Sequence, residues 1–230
     1  MDYNFICNKN GTDKGDAKPN GNCYADFYQN WFGNIRETCQ SIIEIGVDNG
    51  ASLSTNYEYF PNAKIIGMDI VDKSIYENER IKTIILDQSS VEDLDDFCNA
   101  NKILYDIILD DGSHDVSHQQ QTFGKFFKLV KPGGLYIIED LGTSYFSLKE
   151  KLYGYEQTQD KINNDTIKFL NQRPFYSPWI SKEDLDYINE NLEYVSIFDK
   201  LNENLTYSIT FRCLNDYPIR SITSVIKKKK

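Results

Sequence analysis

The sequence predicts an α/β domain built on a doubly wound, mostly parallel sheet of seven strands that closes in a C-terminal antiparallel hairpin. Three observations carry this. From residue 41 onward, short β-branched apolar runs alternate with helical patterns. The runs are apolar on both faces, as strands covered by helices on each side must be. The turns that follow them hold glycines and acids, and ligands of open α/β sheets bind beyond those strand ends.

The segment before residue 40, with Tyr24, Phe27, Tyr28, Trp31 and Phe32, reads as an amphipathic helix that would cover a bound ligand or meet a second subunit. "SIIEIGV" is the first strand, "SLSTNYEYF" a helix closed by Pro61, and "AKIIGMDI" the second strand. "IKTIILDQ" gives a third strand, and "SVEDLDDFCNA" opens with a serine and acids, as a helix start does. "YDIILDDG" is the fourth strand, "QQQTFGKFFKLV" a helix stopped by "KPGG", and "GLYIIEDL" the fifth strand. After a polar stretch, "DLDYINENL" reads as a helix, and "EYVSIFDK" and "TYSITFRC" as the two strands of the closing hairpin. One domain is expected at this length.

Charge and composition exclude several functions. The chain carries 25 Lys and Arg against 35 Asp and Glu, a net charge of −10, which opposes docking on nucleic acid or anionic lipid. The run Lys227 to Lys230 reads as a frayed, solvated end. Five cysteines, at 7, 23, 39, 98 and 213, form no CxxC pair and are odd in number, so a reduced, cytoplasmic setting is expected. No apolar stretch approaches the roughly 20 residues that span a bilayer, so no membrane partner is expected.

The first turn, "EIGVDNGAS", places Glu44, Gly46, Gly50 and Ser52 around a helix start. A glycine there lets a ligand approach the backbone, and the helix offers unpaired N–H groups. The third glycine of a dinucleotide fingerprint is missing, which disfavours a nicotinamide cofactor. Asp69 ends the second strand, where an acid accepts from a ribose diol, and Asp87 with Gln88 would bracket an adenine. A nucleoside without a diphosphate fits these positions, and S-adenosylmethionine is such a ligand.

The fourth strand delivers Asp110 and Asp111 to the same edge, and the fifth delivers Glu139 and Asp140. Their mutual repulsion must be relieved by protonation or by a cation. Carboxylate ligation at Asp111, Glu139 and Asp140 suits Mg²⁺ better than zinc. His114, in an Asp-Gly-Ser-His turn, is suited to take a proton from an acceptor held there. His118 lacks the glutamate of an H-E-x-x-H site, so capping or packing is its expected role.

"NGTDKG", "IEIGVDNGAS", "GMDI", "LDQSS", "DDGSHDVSH", "KPGGLYIIEDL" and "TSY" resemble, in order and spacing, the metal-dependent class I O-methyltransferases of the macrocin and mycinamicin sugar type. The resemblance runs from about residue 10 to 146. It implies a Rossmann-like methyltransferase fold and methyl transfer from S-adenosylmethionine to a sugar hydroxyl. It also implies Mg²⁺ at Asp111, Glu139 and Asp140, His114 as general base, and Asp110 nearer the methionine end of the cofactor. Residues 1–40 would then cover the cofactor and acceptor site, and 41–230 would form the methyltransferase domain. The lid over the acceptor would lie at about 146–182, with Arg173, Phe175, Tyr176 and Trp179. This chain departs from the family at "GNCYADFY", where a histidine is often found, and at Gly142, where glutamine is common. The residues alone leave open a small phosphorylated or phosphoramidate-like acceptor, a catechol-like diol, or nucleoside binding without catalysis. A homo-oligomer is also left open.

Overall fold

The computed structural model describes residues 1–17, 22–144, 159–199 and 222–230. Seven strands form one sheet in the order β3-β2-β1-β4-β5-β7-β6. They are β1 (Ser41–Ile45), β2 (Lys64–Asp69), β3 (Ile81–Ile85), β4 (Tyr105–Asp110), β5 (Val130–Ile138), β6 (Leu192–Asp199) and β7 (Ile222–Lys228). β1 through β5 pair in parallel, and β7 runs antiparallel to both β5 and β6. Strand order reverses between β1 and β4, so the crevice for a ligand opens beyond their C-terminal ends.

Two helices precede the sheet, α1 (Tyr3–Asn10) and α2 (Ala25–Phe32). α3 (Ala51–Tyr59), α4 (Val91–Ala100) and α5 (Val116–Phe126) are the crossovers between strands. α6 (Gln159–Asn163), α7 (Thr166–Asn171) and α8 (Lys182–Asn191) precede β6. The helix starts follow side-chain chemistry. Ser90 accepts from the Asp93 amide, Asp115 from the Ser117 amide and Ser181 from the Asp184 amide, each satisfying an orphan donor of the first turn.

Strand side chains alternate between two cores, as a period of two requires. Ile42, Ile107 and Ile137 pack with α1, α2 and α3, whose Tyr3, Tyr28, Phe32, Tyr59 and Phe60 are buried. Ile43, Ile108 and Ile138 pack on the other face with Leu94, Phe123, Phe126, Phe169 and Ile188. This double cover explains why the strands read as unbroken apolar runs.

Two C-terminal expectations need correction. The strand that pairs with "EYVSIFDK" is Ile222–Lys228, inserted between β5 and β6, while "TYSITFRC" (206–213) lies outside the described residues. The lysine run is not a frayed end through its length, since Lys227 and Lys228 belong to β7. Lys228 is buried, and its Nζ donates to the carbonyls of Phe127, Lys128 and Val130 at 3.4, 3.3 and 2.8 Å. Three backbone acceptors satisfy its ammonium, and the stem packs beside the rings of Phe127 and Tyr187.

Candidate active site

The C-terminal ends of β1, β2 and β4 enclose two adjoining cavities that share Gly46, Asp69 and Gly112 as walls. The first, of about 510 Å³, is lined by polar groups, among them Lys14, Glu44, Ser52, Asp111, His114 and Asp140. The second, of about 380 Å³, is more apolar, with Ile45, Met68, Ile70 and Leu86 beside Asp87, Gln88 and His118. A ligand with one flat apolar end and one charged end fits this division.

The glycine turn is built by close approach. Gly46 has φ +86°, and a Cβ there would stand 2.1 Å from the Asp111 carbonyl oxygen. Gly50 starts α3 with φ +73° against the ring of Tyr76, and α3 has no side-chain cap. Asp69 braces the turn: its Oδ2 accepts from the Val47 and Asp48 amides at 3.0 and 3.3 Å, and its Oδ1 from the Val71 amide at 3.1 Å. Asp87 accepts from Ser89 through both amide and hydroxyl. Gln88 bridges two turns, donating to Asp110 Oδ1 at 2.7 Å and accepting from the Ser113 amide at 2.9 Å.

Two buried carboxylates lie under the first cavity. Glu44 accepts from Asn56 Nδ2 on Oε2, while Oε1 meets no hydrogen-bond donor among the described residues. Burial pushes its carboxyl up to about 7, with Lys14 pulling the other way. Asp110 is raised to about 7 by burial despite the Gln88 hydrogen bond, and its Oδ2 meets no donor among the described residues. An ammonium in the cavity would give the Glu44 oxygen the donor it lacks.

Asp111, His114 and Asp140 converge, each offering one ligand atom within 4.8 Å of the others. His114 Nε2 stands 3.6 Å from Asp140 Oδ2. His114 and Asp140 both hold positive φ, +58° and +53°, a region non-glycine residues rarely take and one that collects at functional sites. Burial raises the carboxyls of Glu139 and Asp140, with the Asp111 charge adding to both and His114 pulling Asp140 down. Three half-open side chains, two of them carboxylates, suit a hard divalent cation that keeps part of its water. Glu139 is fully buried behind them, taking a hydrogen bond from Tyr28 on Oε1.

Sequence reasoning missed four residues here. Lys14 is buried, with Nζ 2.5 Å from Asp111 Oδ2 and 3.0 Å from Glu139 Oε2. Burial opposes its charge, but Asp111 and Glu139, with Glu44 and Asp13 beyond them, together outweigh burial and hold it well above the ordinary lysine range. Asn22 and Tyr24 donate to Asp140 Oδ1 at 3.2 and 2.8 Å, and Tyr28 serves Glu139. The signals were local: Lys14 sits in the "NGTDKG" stretch, and Asn22, Tyr24 and Tyr28 in "GNCYADFY", both already quoted for the family resemblance.

His118, in the first turn of α5, lines the second cavity, and its Nδ1 lies 2.9 Å from Ser113 Oγ. Of the four residues read as a lid surface, Phe175 is buried against Phe169 with the Arg173 guanidinium 3.9 Å from its ring, and Tyr176 is exposed. Residues 145–158 of that stretch lie outside the described residues. No helix among the described residues is long and apolar enough to cross a membrane.

No protein-family model matches the chain. Over 137 residues, 56% of the chain, it is 36% identical to the 8-demethyl-8-alpha-L-rhamnosyl tetracenomycin-C 2'-O-methyltransferase of Streptomyces olivaceus. Over 130 residues, 54% of the chain, it is 38% identical to the mycinamicin VI 2''-O-methyltransferase of Micromonospora griseorubida. The matches cover 36% and 32% of those proteins, so the chain spans about a third of the length of the curated relatives it matches. A solved structure of the MycE methyltransferase with Mg, SAH and mycinamycin VI superposes with a TM-score of 0.70 at 24% identity, covering 100% of this chain and 55% of that one. A second crystal form with Mg and SAH gives 0.71 at 25% identity, covering 100% and 54%. The O-methyltransferase of Bacillus cereus with SAH gives 0.52 at 13% identity, covering 99% and 90%. The fold is therefore the Rossmann-like methyltransferase fold, with its last two strands antiparallel. The relatives are the kind of O-methyltransferase the sequence resembles.

Proposed function

We propose that this chain carries an S-adenosylmethionine-dependent and Mg²⁺-dependent O-methyltransferase activity toward a sugar hydroxyl. The observation that carries the reading is the convergence of Asp111, His114 and Asp140 in the wall of a cavity that begins at the glycine turn. The relatives' names and the Mg and SAH of the MycE complexes support it.

In this reading the nucleoside lies across the two cavities. Leu86, Met68 and Gln88 flank the base, with Asp87 beside them, and Asp69 takes the ribose while bracing the turn. Gly46 and Ser52 line the methionine end, Gly50 shapes the helix start beneath it, and Glu44 and Asp110 receive its ammonium. Asp111 and Asp140 would hold the cation, with Glu139 behind them paired to Lys14. A divalent cation held there would acidify and orient a hydroxyl. His114 would accept the hydroxyl proton on Nε2, and bound S-adenosylmethionine would supply the methyl group to the oxygen and leave as S-adenosylhomocysteine. Asp140, 3.6 Å away, stabilises the resulting imidazolium. Residues 1–17 and 22–40 cover the site in this reading, and 159–182 belong to the acceptor lid, the rest of which, 146–158, lies outside the described residues. The charge of −10 supports a small-molecule partner over nucleic acid.

Calorimetry with S-adenosylhomocysteine, with and without Mg²⁺, tests cofactor binding. Incubation with S-adenosylmethionine and an acceptor panel of glycosides and nucleotide sugars, catechols and small phosphorylated compounds tests the reaction. A single-methyl mass gain confined to the sugars is expected. Gain on another class moves the acceptor, and binding without transfer to any class leaves a nucleoside-binding protein.

A further inference from the structure

We propose that Lys14 is the resident counter-ion of the acidic cluster, keeping the carboxylates assembled before a divalent cation arrives. The inference rests on the metal-site reading above.

The acids need a cation, and the chain supplies one. Asp111 and Glu139 are 97 and 125 residues further along the chain than Lys14, yet both lie within 3.0 Å of its ammonium. A lysine side chain only 1% exposed is costly to bury unless it is paired, and here the pairing is double. The backbone is built to deliver it. Gly11 ends α1 in the left-handed region, and the Thr12 amide returns to the Cys7 carbonyl. The Lys14 carbonyl then accepts from the Ala25 amide at 2.9 Å, clipping the turn onto α2. The Asn22 amide donates to the Asp13 carbonyl at 2.7 Å. These bonds fix the backbone of Lys14 within reach of the acids.

Charge divides the same way as geometry. When ionised, Asp111, Glu139 and Asp140 carry more negative charge than the single Lys14 ammonium offsets, and a divalent cation would relieve the remainder. Lys14 takes Asp111 Oδ2 and the fully buried Glu139, whereas Asp111, His114 and Asp140 gather where their side chains are 21%, 18% and 23% exposed. Asp111 is common to both groups. Lys14 is thus a positioning residue, setting the Asp111 carboxylate for its second partner.

Thermal unfolding in a chelator and in excess Mg²⁺ tests this, with Mg²⁺ itself as the probe. Removing one member of a buried pair in a chain of this size predicts that Lys14→Met melts about 10 °C below wild type in the chelator. Mg²⁺ should raise the melting temperature of the variant by more than it raises that of wild type, because the cation then relieves a repulsion that Lys14 no longer does. Equal melting temperatures in the chelator overturn the proposal. If Mg²⁺ binds both proteins by calorimetry yet relieves neither more than the other, Lys14 is only a packing element and the proposal falls alone. If Mg²⁺ binds neither, the metal reading falls first and takes the preassembly role with it. Should Lys14→Met fail to accumulate folded, adding Glu139→Gln must restore a folded protein by removing one of the unmatched charges; failure to restore it also refutes the role.

Discussion

Gly46→Ala is the sharpest perturbation of the cavity floor. A non-glycine residue in the left-handed region costs about 1–2 kcal/mol, and Gly46 has φ +86°. The larger effect is steric. The added Cβ would lie 2.1 Å from the Asp111 carbonyl oxygen, 2.7 Å from its carbon and 3.0 Å from Gly112 Cα, all backbone atoms that cannot rotate aside. Relief requires the ends of β1 and β4 to part by more than about 1 Å, since ordinary contact begins at 3.4 Å. That movement strains the hydrogen bonds from the Asp111 amide to Ile45 (2.9 Å) and from the Gly46 amide to Met68 (2.8 Å). A weakened buried pair adds about 1–3 kcal/mol, for a total loss of about 2–5 kcal/mol. Gly11→Ala is the control: its φ is +75°, but a Cβ there meets nothing within 4 Å, so only the conformational cost applies. Urea unfolding followed by circular dichroism measures both. Equal losses in the two variants would refute the argument that the β1 and β4 turns are locked together at this glycine. Calorimetry should show the same variant losing S-adenosylhomocysteine affinity while Gly11→Ala keeps it.

Three further outcomes follow from the site. His114→Ala should lower turnover by about 10²–10⁴-fold, the range for a lost general base, with cofactor affinity unchanged in calorimetry; full turnover would remove the base assignment. Glu44 has a folded-state value of about 7 against an ordinary 4.5, so the folded chain holds a proton there that the unfolded chain has released. Stability from this group is present below about pH 4.5 and declines as pH rises to 7, by up to about 3 kcal/mol at 1.36 kcal/mol per unit; Glu44→Gln should flatten that slope in urea titrations across the window, and an unchanged slope would be evidence against it. Gln88→Ala removes a donor to buried Asp110 and an acceptor for Ser113. It should cost about 2–4 kcal/mol in the same assay, and a near-neutral change would show that the two turns do not depend on the bridge.

What could be read from the sequence was what repeats locally. β1, β4 and the second half of β5 show burial on both faces as unbroken apolar runs, whereas the edge strand β3 reads the same way yet leaves Ile84 and Ile85 exposed; Ser90 and Pro61 mark helix ends by their own chemistry. Asp111, His114 and Asp140 were also legible, because parallel strands must deliver their last residues to one edge. Lys14 was not: a lone lysine in a turn has no periodicity, and nothing local says that it folds onto acids 97 residues away. Lys228 misled for the opposite reason. Four consecutive lysines look like solvated chain, yet burial is decided by the carbonyls of residues 127, 128 and 130, about 100 positions earlier.

The two ends of the described chain meet at the acids, and proton counting shows how they orient them. Tyr24 has one hydroxyl proton and two acceptors in reach, Asp140 Oδ1 at 2.8 Å and the Ile222 carbonyl at 3.2 Å. The closer, charged acceptor takes it, so Asp140 is turned by a residue of the first forty. Tyr28 lies between Glu139 Oε1 at 2.9 Å and Thr223 Oγ1 at 2.8 Å, while Thr223 also reaches the Ile138 carbonyl at 3.1 Å. Two hydroxyl protons serve these contacts, and an ionised Glu139, which can only accept, claims the Tyr28 proton and leaves Thr223 to donate to Tyr28 or to Ile138. Burial keeps both phenols protonated, well above their usual range, so each remains a donor. α2 and β7 therefore aim consecutive acids in different directions: Glu139 inward to Lys14 and Asp140 outward to His114. Past the end of β5, Asp140 holds its outward direction with a backbone φ of +53°.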